Sequence, residues 1–320
     1  MLSNVSGYDI NARHDRKLPK AINGIGHVDV PRMRDGGVAG QIFGMWTMPY
    51  PEILCPRSIH KQLDCIDRAI ADSGGGMRRC WTGRDVREAH AAGTIAALAG
   101  IEGGQALRGN PGRVEEFAAR GVRYIGLLHF SANALGKPAY GKGAQDDIGL
   151  SSVGHEVIDE MNRLGVIVDL AHINQMGFYD AIAASNSPPM VSHTGVHGVH
   201  PHWRNIDDDQ LRAIGDAGGC VGVIFARKFL GGKGIDKLCD HILHVIEVAG
   251  EDTAALGSDF DGFVVPPVGL EDVSLLPNLT YALSRRGLSD NTLAKLLGGN
   301  AIRVLDDVPP AREILGIDKT

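Results

Sequence analysis

The segment EMNRLGVIVDLAH, residues 160–172, decides the fold. Val153, Val157, Met161 and Leu164 recur at helical spacing, and Ser151 and Ser152 stand before them as candidate caps. GVIVDLAH, 165–172, then runs apolar with little alternation, as a parallel strand buried on both faces does. The run ends on a histidine. A helix feeding a buried strand is the building unit of a parallel α/β protein.

The unit repeats. GQIFGMW (40–46), TIAALAGIE (94–102), VRYIGLLH (122–129), PMVSH (189–193), CVGVIF (220–225) and AALGSDF (254–260) are further strand candidates, making seven with 165–172. Helical patterns lie between them: Ile59, Leu63, Ile66 and Ile70 form one stripe, and Asp207 reads as the cap of a helix holding Leu211 and Ile214. Such alternation means a parallel sheet, open or closed into a (β/α)8 barrel. Five of the seven strands end at a reactive side chain: Glu102, His129, His172, His193 and Asp259. A barrel builds its active site from many strand ends at one face, whereas an open sheet concentrates it at one switch point. The expected fold is therefore the α/β barrel of TIM type, although a closed barrel needs eight strands.

Composition narrows the function. The chain has 320 residues, 43% hydrophobic and 22% charged, which suits one large globular barrel. A net charge of -6 offers no electrostatic footprint for nucleic acid or an anionic membrane surface. There is no apolar run of bilayer length, and the start, MLSNVSGYDINARHDRK, has no secretory apolar core. Five cysteines without a CxxC pair point to a reducing compartment, so a cytoplasmic location is expected. GKPAYGKG, 136–143, mimics a phosphate loop, but Gly143 stands where the magnesium-binding hydroxyl belongs and no strand leads directly into it. His197, His200 and His202 have no strand to aim them and read as solvated or supporting residues.

The strand ends suggest metal chemistry. Neutral imidazole is a common zinc ligand, and His172 and His193 can be aimed at one point by separate strands. Glu102 can bridge two cations, and Gly103 and Gly104 let the backbone pass close by. Asp259 can move a proton between water and a leaving amine, or simply form the turn before Asp261-Gly262. His129 can donate to a developing oxyanion, and Arg204 can clamp a substrate carboxylate.

These residues sit in familiar company. EGG (102–104), GVRYIGLLH (121–129), EMNRLGVIVDLAH (160–172), SH (192–193), RNIDDDQL (204–211), GSDFDG (257–262) and GGNAIRVL (298–305) resemble the membrane dipeptidase (renal dipeptidase) family of binuclear zinc hydrolases. The resemblance implies a (β/α)8 barrel that cleaves dipeptides, tolerates a D-residue on the carboxyl side and tends to dimerise. It implies Glu102 as the carboxylate bridging the two zincs, with His172 and His193 completing the second zinc site. It implies substrate contacts from His129 and Arg204, and acid/base work from Asp259. One departure is Ala226, where family members often carry tyrosine.

GHVDVP, 26–31, has the H-x-D spacing of a zinc pair in His27 and Asp29. The family's pair closes its first strand, in a segment like DGHND. GHVDVPRMRDGGVAGQIFGMW instead resembles the segment that follows that strand by tens of residues. On this register the chain is one barrel domain over 1–320, in which 1–36 is the connection after the first strand and 306–320 a C-terminal tail. The first strand and its two ligands are then missing, His27 and Asp29 are turn or loop residues, and one zinc is expected rather than two. Two other readings stay open: a metal amidohydrolase acting on small amides or lactones, favoured by Ala226 and the Gly/Lys-rich loop 132–146, and an impaired barrel that only binds.

Overall fold

The computed structural model of the protein describes residues 8–14, 26–48 and 51–316. Residues 1–7 and 15–25 of the expected N-terminal connection, and 317–320 of the tail, lie outside the described residues. Eight parallel strands form one sheet: β1 (Gly40–Trp46), β2 (Met77–Arg79), β3 (Ile95–Glu102), β4 (Val122–Gly126), β5 (Ile167–Asp169), β6 (Met190–Thr194), β7 (Cys220–Val223) and β8 (Ala254–Leu256). The main path runs β1-β3-β4-β5-β6-β7-β8, and β2 pairs with the start of β3. The seven strands on the path are those legible in the sequence. The eighth, β2, escaped because Met-Arg-Arg carries no apolar run.

Several strands are shorter than their apolar runs. VRYIGLLH pairs only over Val122–Gly126, and GVIVDLAH only over Ile167–Asp169. The Asp169 carboxylate accepts from the Ala171 amide at 3.1 Å, and His172 takes a left-handed backbone with φ 68°. The chain therefore turns out of the sheet before the histidine. Burial, rather than pairing, keeps Leu170 and Ala171 apolar.

Helices cover the sheet as their caps and stripes require. Ser151 accepts from the Gly154 amide to start Ser152–Leu164, whose Val157, Ile158, Met161 and Leu164 face inward. Gly165, at φ 59°, closes that helix in the conformation that only glycine adopts without strain. Asp207 and Gln210 form a reciprocal capping box on Asp208–Asp216. The fully buried Arg123 donates to the Gly165 carbonyl at 2.7 Å and to that of Val308, tying β4 to the end of one helix and to the C-terminal stretch. No helix among the described residues is long and apolar enough to cross a membrane.

β1 and β8 each have one edge without a strand partner among the described residues, and both line a cavity of about 1600 Å³. Ala96 donates to the Ala39 carbonyl, so alternation along β1 turns the Ile42 and Trp46 carbonyls to the other edge. The Gln41 amide meets the first at 2.7 Å and the Gln62 amide the second at 2.9 Å. Side chains thus satisfy polar groups that a neighbouring strand would otherwise take.

His241, fully buried on the helix Ile235–Ala249, accepts from the Val196 amide through Nδ1 at 2.9 Å. Burial holds its pKa down at about 4, from an ordinary 6.5. The unfolded ring takes up a proton below 6.5 and the folded ring does not until about 4, so its contribution is complete above 6.5 and lost as pH falls between these values. That contribution is about 3 kcal/mol. In urea melts from pH 7.5 to 4.5, His241→Asn is expected to flatten the acid loss of stability relative to the native chain.

Candidate metal centre

Four strand ends deliver side chains to one point. Glu102 is the last residue of β3, His193 lies within β6, and His129 and His172 follow β4 and β5 by three residues. Glu102 Oε1 stands 2.9 Å from His172 Nε2 and 3.2 Å from His193 Nε2, and the two Nε2 atoms are 3.0 Å apart. His129 Nε2 is slightly farther from the same oxygen, at 3.6 Å. Glu102, His129 and His172 also bring ligand atoms within 4.8 Å of one another. A tetrahedral zinc with bonds of about 2.0–2.1 Å spaces its donors about 3.3 Å apart. One carboxylate and two imidazoles at these separations suit a borderline divalent cation.

The electrostatics are dominated by burial. Burial alone would push the Glu102 carboxyl up, but His172 and His193 hold it well below the usual range, so it is ionised. Burial, reinforced by Arg204, keeps His172 well below its ordinary value, and burial brings His129 down to about 4 against the pull of Glu102. Both rings are neutral at neutral pH. Asp259, three residues beyond β8, is pushed up to about 7 by burial and by Glu102, with His193 and Arg204 opposing. Its backbone is left-handed, φ 56°, and a Cβ on Gly262 would fall 2.1 Å from its Oδ1. Gly262 therefore keeps the space that the carboxylate occupies.

Arg204 is buried beside the cluster. It donates through Nη2 to the His193 carbonyl at 2.6 Å, and its Nε has no partner. A desolvated guanidinium with an uncommitted N–H is suited to an anion. Glu102, His129, His172, His193, Arg204 and Asp259 all line the large cavity, as does Ala226.

Supporting side chains carry no strong signal in the sequence. Ser192 gives its hydroxyl proton to Asp169 Oδ2 at 2.7 Å and lies 2.9 Å from His193 Nδ1. Asp169 also accepts from the Ser192 amide at 2.8 Å. Trp46, at the end of β1, donates from Nε1 to His129 Nδ1 at 3.0 Å. Ser192 and Asp169 fall inside motifs already noted, but their neighbours' imidazoles drew the reading. Trp46 looked like a strand residue only. At the mouth, Tyr140 stacks on Trp203 at 3.9 Å between centroids, and Phe130 meets Trp203 edge-on at 5.9 Å. His202 supports Arg204, accepting from its amide at 3.1 Å.

His27 and Asp29 are engaged elsewhere. Asp29 caps the helix Val30–Asp35: Oδ1 accepts from the Arg32 amide at 2.8 Å, while Oδ2 takes Arg32 Nε at 2.6 Å and the His14 amide at 2.9 Å. His27 Nδ1 accepts from the Asp261 amide at 3.0 Å and its own amide donates to Asp261 Oδ1 at 2.7 Å, pinning the loop after β8.

A parallel sheet whose strand ends converge on a carboxylate–imidazole cluster defines a metallo-hydrolase of the α/β-barrel type. The chain belongs to the membrane dipeptidase family, peptidase family M19, whose profile matches residues 5–315. It is accordingly a metallodipeptidase by family, a hydrolase of peptide bonds. Dipeptidase verJ of Clonostachys rogersoniana is 33% identical over 298 residues, covering 89% of this chain and 76% of that protein. An uncharacterised Klebsiella pneumoniae protein is 36% identical over 258 residues, covering 78% and 95%. Among solved structures, a metallopeptidase from Rhodobacter sphaeroides bound to a phosphinate mimic of L-Ala-D-Ala superposes with TM-score 0.79 at 29% identity, over 90% of this chain and 92% of that one. The dipeptidase AC superposes with TM-score 0.84 at 28% identity, over 96% and 95%.

Because Ser192 orients His193 and is itself held by Asp169, Ser192→Ala is expected to weaken metal binding about 10-fold or more. Competition against a graded chelator measures this, with circular dichroism confirming the fold.

Proposed function

We propose that the chain hydrolyses dipeptides at a zinc centre held by Glu102, His172 and His193. The observation that carries this reading is the triangle of donor atoms 2.9, 3.0 and 3.2 Å apart. A divalent cation held there would supply Lewis acidity, which polarises a carbonyl and eases the loss of a proton from water. The chain's own groups do the rest. The Asp259 carboxylate takes the proton of the attacking water and returns it to the leaving amine, and a pKa near 7 suits both transfers. His129 donates to the oxygen on which charge develops. Arg204 holds the free carboxylate of the substrate, which selects a chain end and makes the enzyme a dipeptidase rather than an endopeptidase. A D-residue on the carboxyl side is supported by the L-Ala-D-Ala mimic bound to the Rhodobacter relative.

The described residues assemble one complete set of donors, so one tightly held zinc per chain is the proposal. The chain acts as one barrel unit, in the cytoplasm, where its five cysteines stay reduced. A homodimer is proposed on the family resemblance alone. The small side chain of Ala226 in the wall of the large cavity favours a second reading, hydrolysis of other amides or lactones by the same residues.

Elemental analysis after reconstitution and desalting should find about one zinc per chain. Glu102→Ala and His172→Ala should lose it, while His129→Gln should keep it. Two zincs in the native chain would show that further residues contribute ligands. In kinetics on free dipeptides, Asp259→Asn should lower kcat about 10²–10⁴-fold with little change in KM. Arg204→Lys should chiefly raise KM, and C-terminally amidated dipeptides should be poor substrates. Faster turnover of amidated dipeptides, N-acyl amino acids or lactones would move the assignment to the second reading. Unchanged hydrolysis in Glu102→Ala would remove the metal mechanism altogether.

A further inference from the structure

His129 and His193 flank the same carboxylate oxygen, yet their outer nitrogens meet opposite partners. Beside His193, Ser192 has already spent its hydroxyl proton on Asp169, so its oxygen can only accept from His193 Nδ1. In the neutral ring that a bound cation would require, the proton is then on Nδ1, and the Nε2 lone pair would be the ligand. Beside His129 stands an indole N–H, which can donate and cannot accept. Trp46 Nε1 lies 3.0 Å from His129 Nδ1, so that nitrogen must be bare. The proton of the neutral ring then sits on Nε2, the atom 3.6 Å from Glu102 Oε1.

We propose that Trp46 is a positioning residue that locks His129 in the Nε2–H tautomer. The lock makes His129 a hydrogen-bond donor facing the reacting centre and prevents its Nε2 from serving as a metal ligand. Two imidazoles of equal intrinsic chemistry are thereby assigned to different work by one neighbour each, a hydroxyl for the ligand and an indole for the donor. Trp46 is well placed to hold this arrangement. It ends β1 in register with Glu102 on β3, and Gln62 anchors its carbonyl. Its ring also packs against the imidazole, with centroids 5.3 Å apart at 57°. The catalytic consequence rests on the dipeptidase reading above; the tautomer itself does not.

The test uses the full chain labelled with ¹⁵N-histidine, metal-free and zinc-loaded, with the His129 signals assigned by their loss in His129→Gln. Long-range ¹H–¹⁵N correlation distinguishes the two tautomers. The native chain should show His129 protonated at Nε2 in both forms. Trp46→Phe, which keeps a ring but removes the donor, should convert this to a mixed or Nδ1–H pattern. In the same variant kcat should fall about tenfold, short of the full loss of an oxyanion donor, with KM, zinc content and melting temperature nearly unchanged. A native ring protonated at Nδ1, or Nε2–H persisting in Trp46→Phe, overturns the proposal. The native spectrum decides it even if Trp46→Phe does not fold. A chain that cleaves no dipeptide but shows the lock, and loses it in Trp46→Phe, supports the proposal while removing the dipeptidase reading.

Discussion

An ionised carboxylate, Glu102, sits half-buried among three imidazoles, and the need to balance that charge governs the centre of the molecule. Burial alone would neutralise it. His172 and His193 keep it charged, while burial keeps His172 and His129 neutral, and neutral is the form in which a ring can bind a metal or donate one defined proton. The result is an anionic, mixed oxygen–nitrogen donor set that a divalent cation completes. Asp259 feels the same charge from farther away, and the repulsion helps to hold its proton into the neutral range. The Glu102 and Asp259 carboxyls are thus pushed apart by their surroundings, one down and one up, as pairs of carboxylates in hydrolases commonly are.

The sheet makes that burial achievable. Parallel strands covered by helices bring their C-terminal ends to one face, and short strands leave the decisive side chains on the turns beyond. His172, Asp259, Asp261 and Phe263 all adopt left-handed backbones there. Such conformations cost energy in non-glycine residues and persist where the surroundings over-determine them. Here the surroundings are explicit: Asp169 holds the turn before His172, and His27 holds the one at Asp261.

Support for the cluster comes from side chains packed around it. Ser192 and Asp169 orient one imidazole and Trp46 another, and an aromatic wall of Tyr140, Trp203 and Phe130 stands at the mouth. The edges of β1 and β8 without a strand partner among the described residues line the same cavity, and Gln41 and Gln62 satisfy carbonyls of β1 with side-chain amides. GHVDVP shows how spacing can mislead. His27 and Asp29 have the separation of a ligand pair, but Asp29 is consumed as a helix cap by Arg32 and His27 as a loop pin by Asp261.

Much of the architecture was legible in the sequence, because burial on both faces writes strands as continuous apolar runs and helices as 3.6-residue stripes. The seven strands of the main path, the caps at Ser151 and Asp207, and the reactive side chains at the strand ends all follow from those patterns. β2 did not follow, since an edge pairing of Met-Arg-Arg leaves no such trace. Nor did the ends of β4 and β5, where buried residues outside the sheet look the same as residues within it. What only the tertiary structure decided is which nitrogen of each histidine is free. That depends on a single neighbour brought in from 83 residues away for His129, and on the direction of one hydroxyl for His193. Apolar periodicity is a local property of the chain. The partner of a polar atom is fixed by where distant strands end, and no local pattern encodes it.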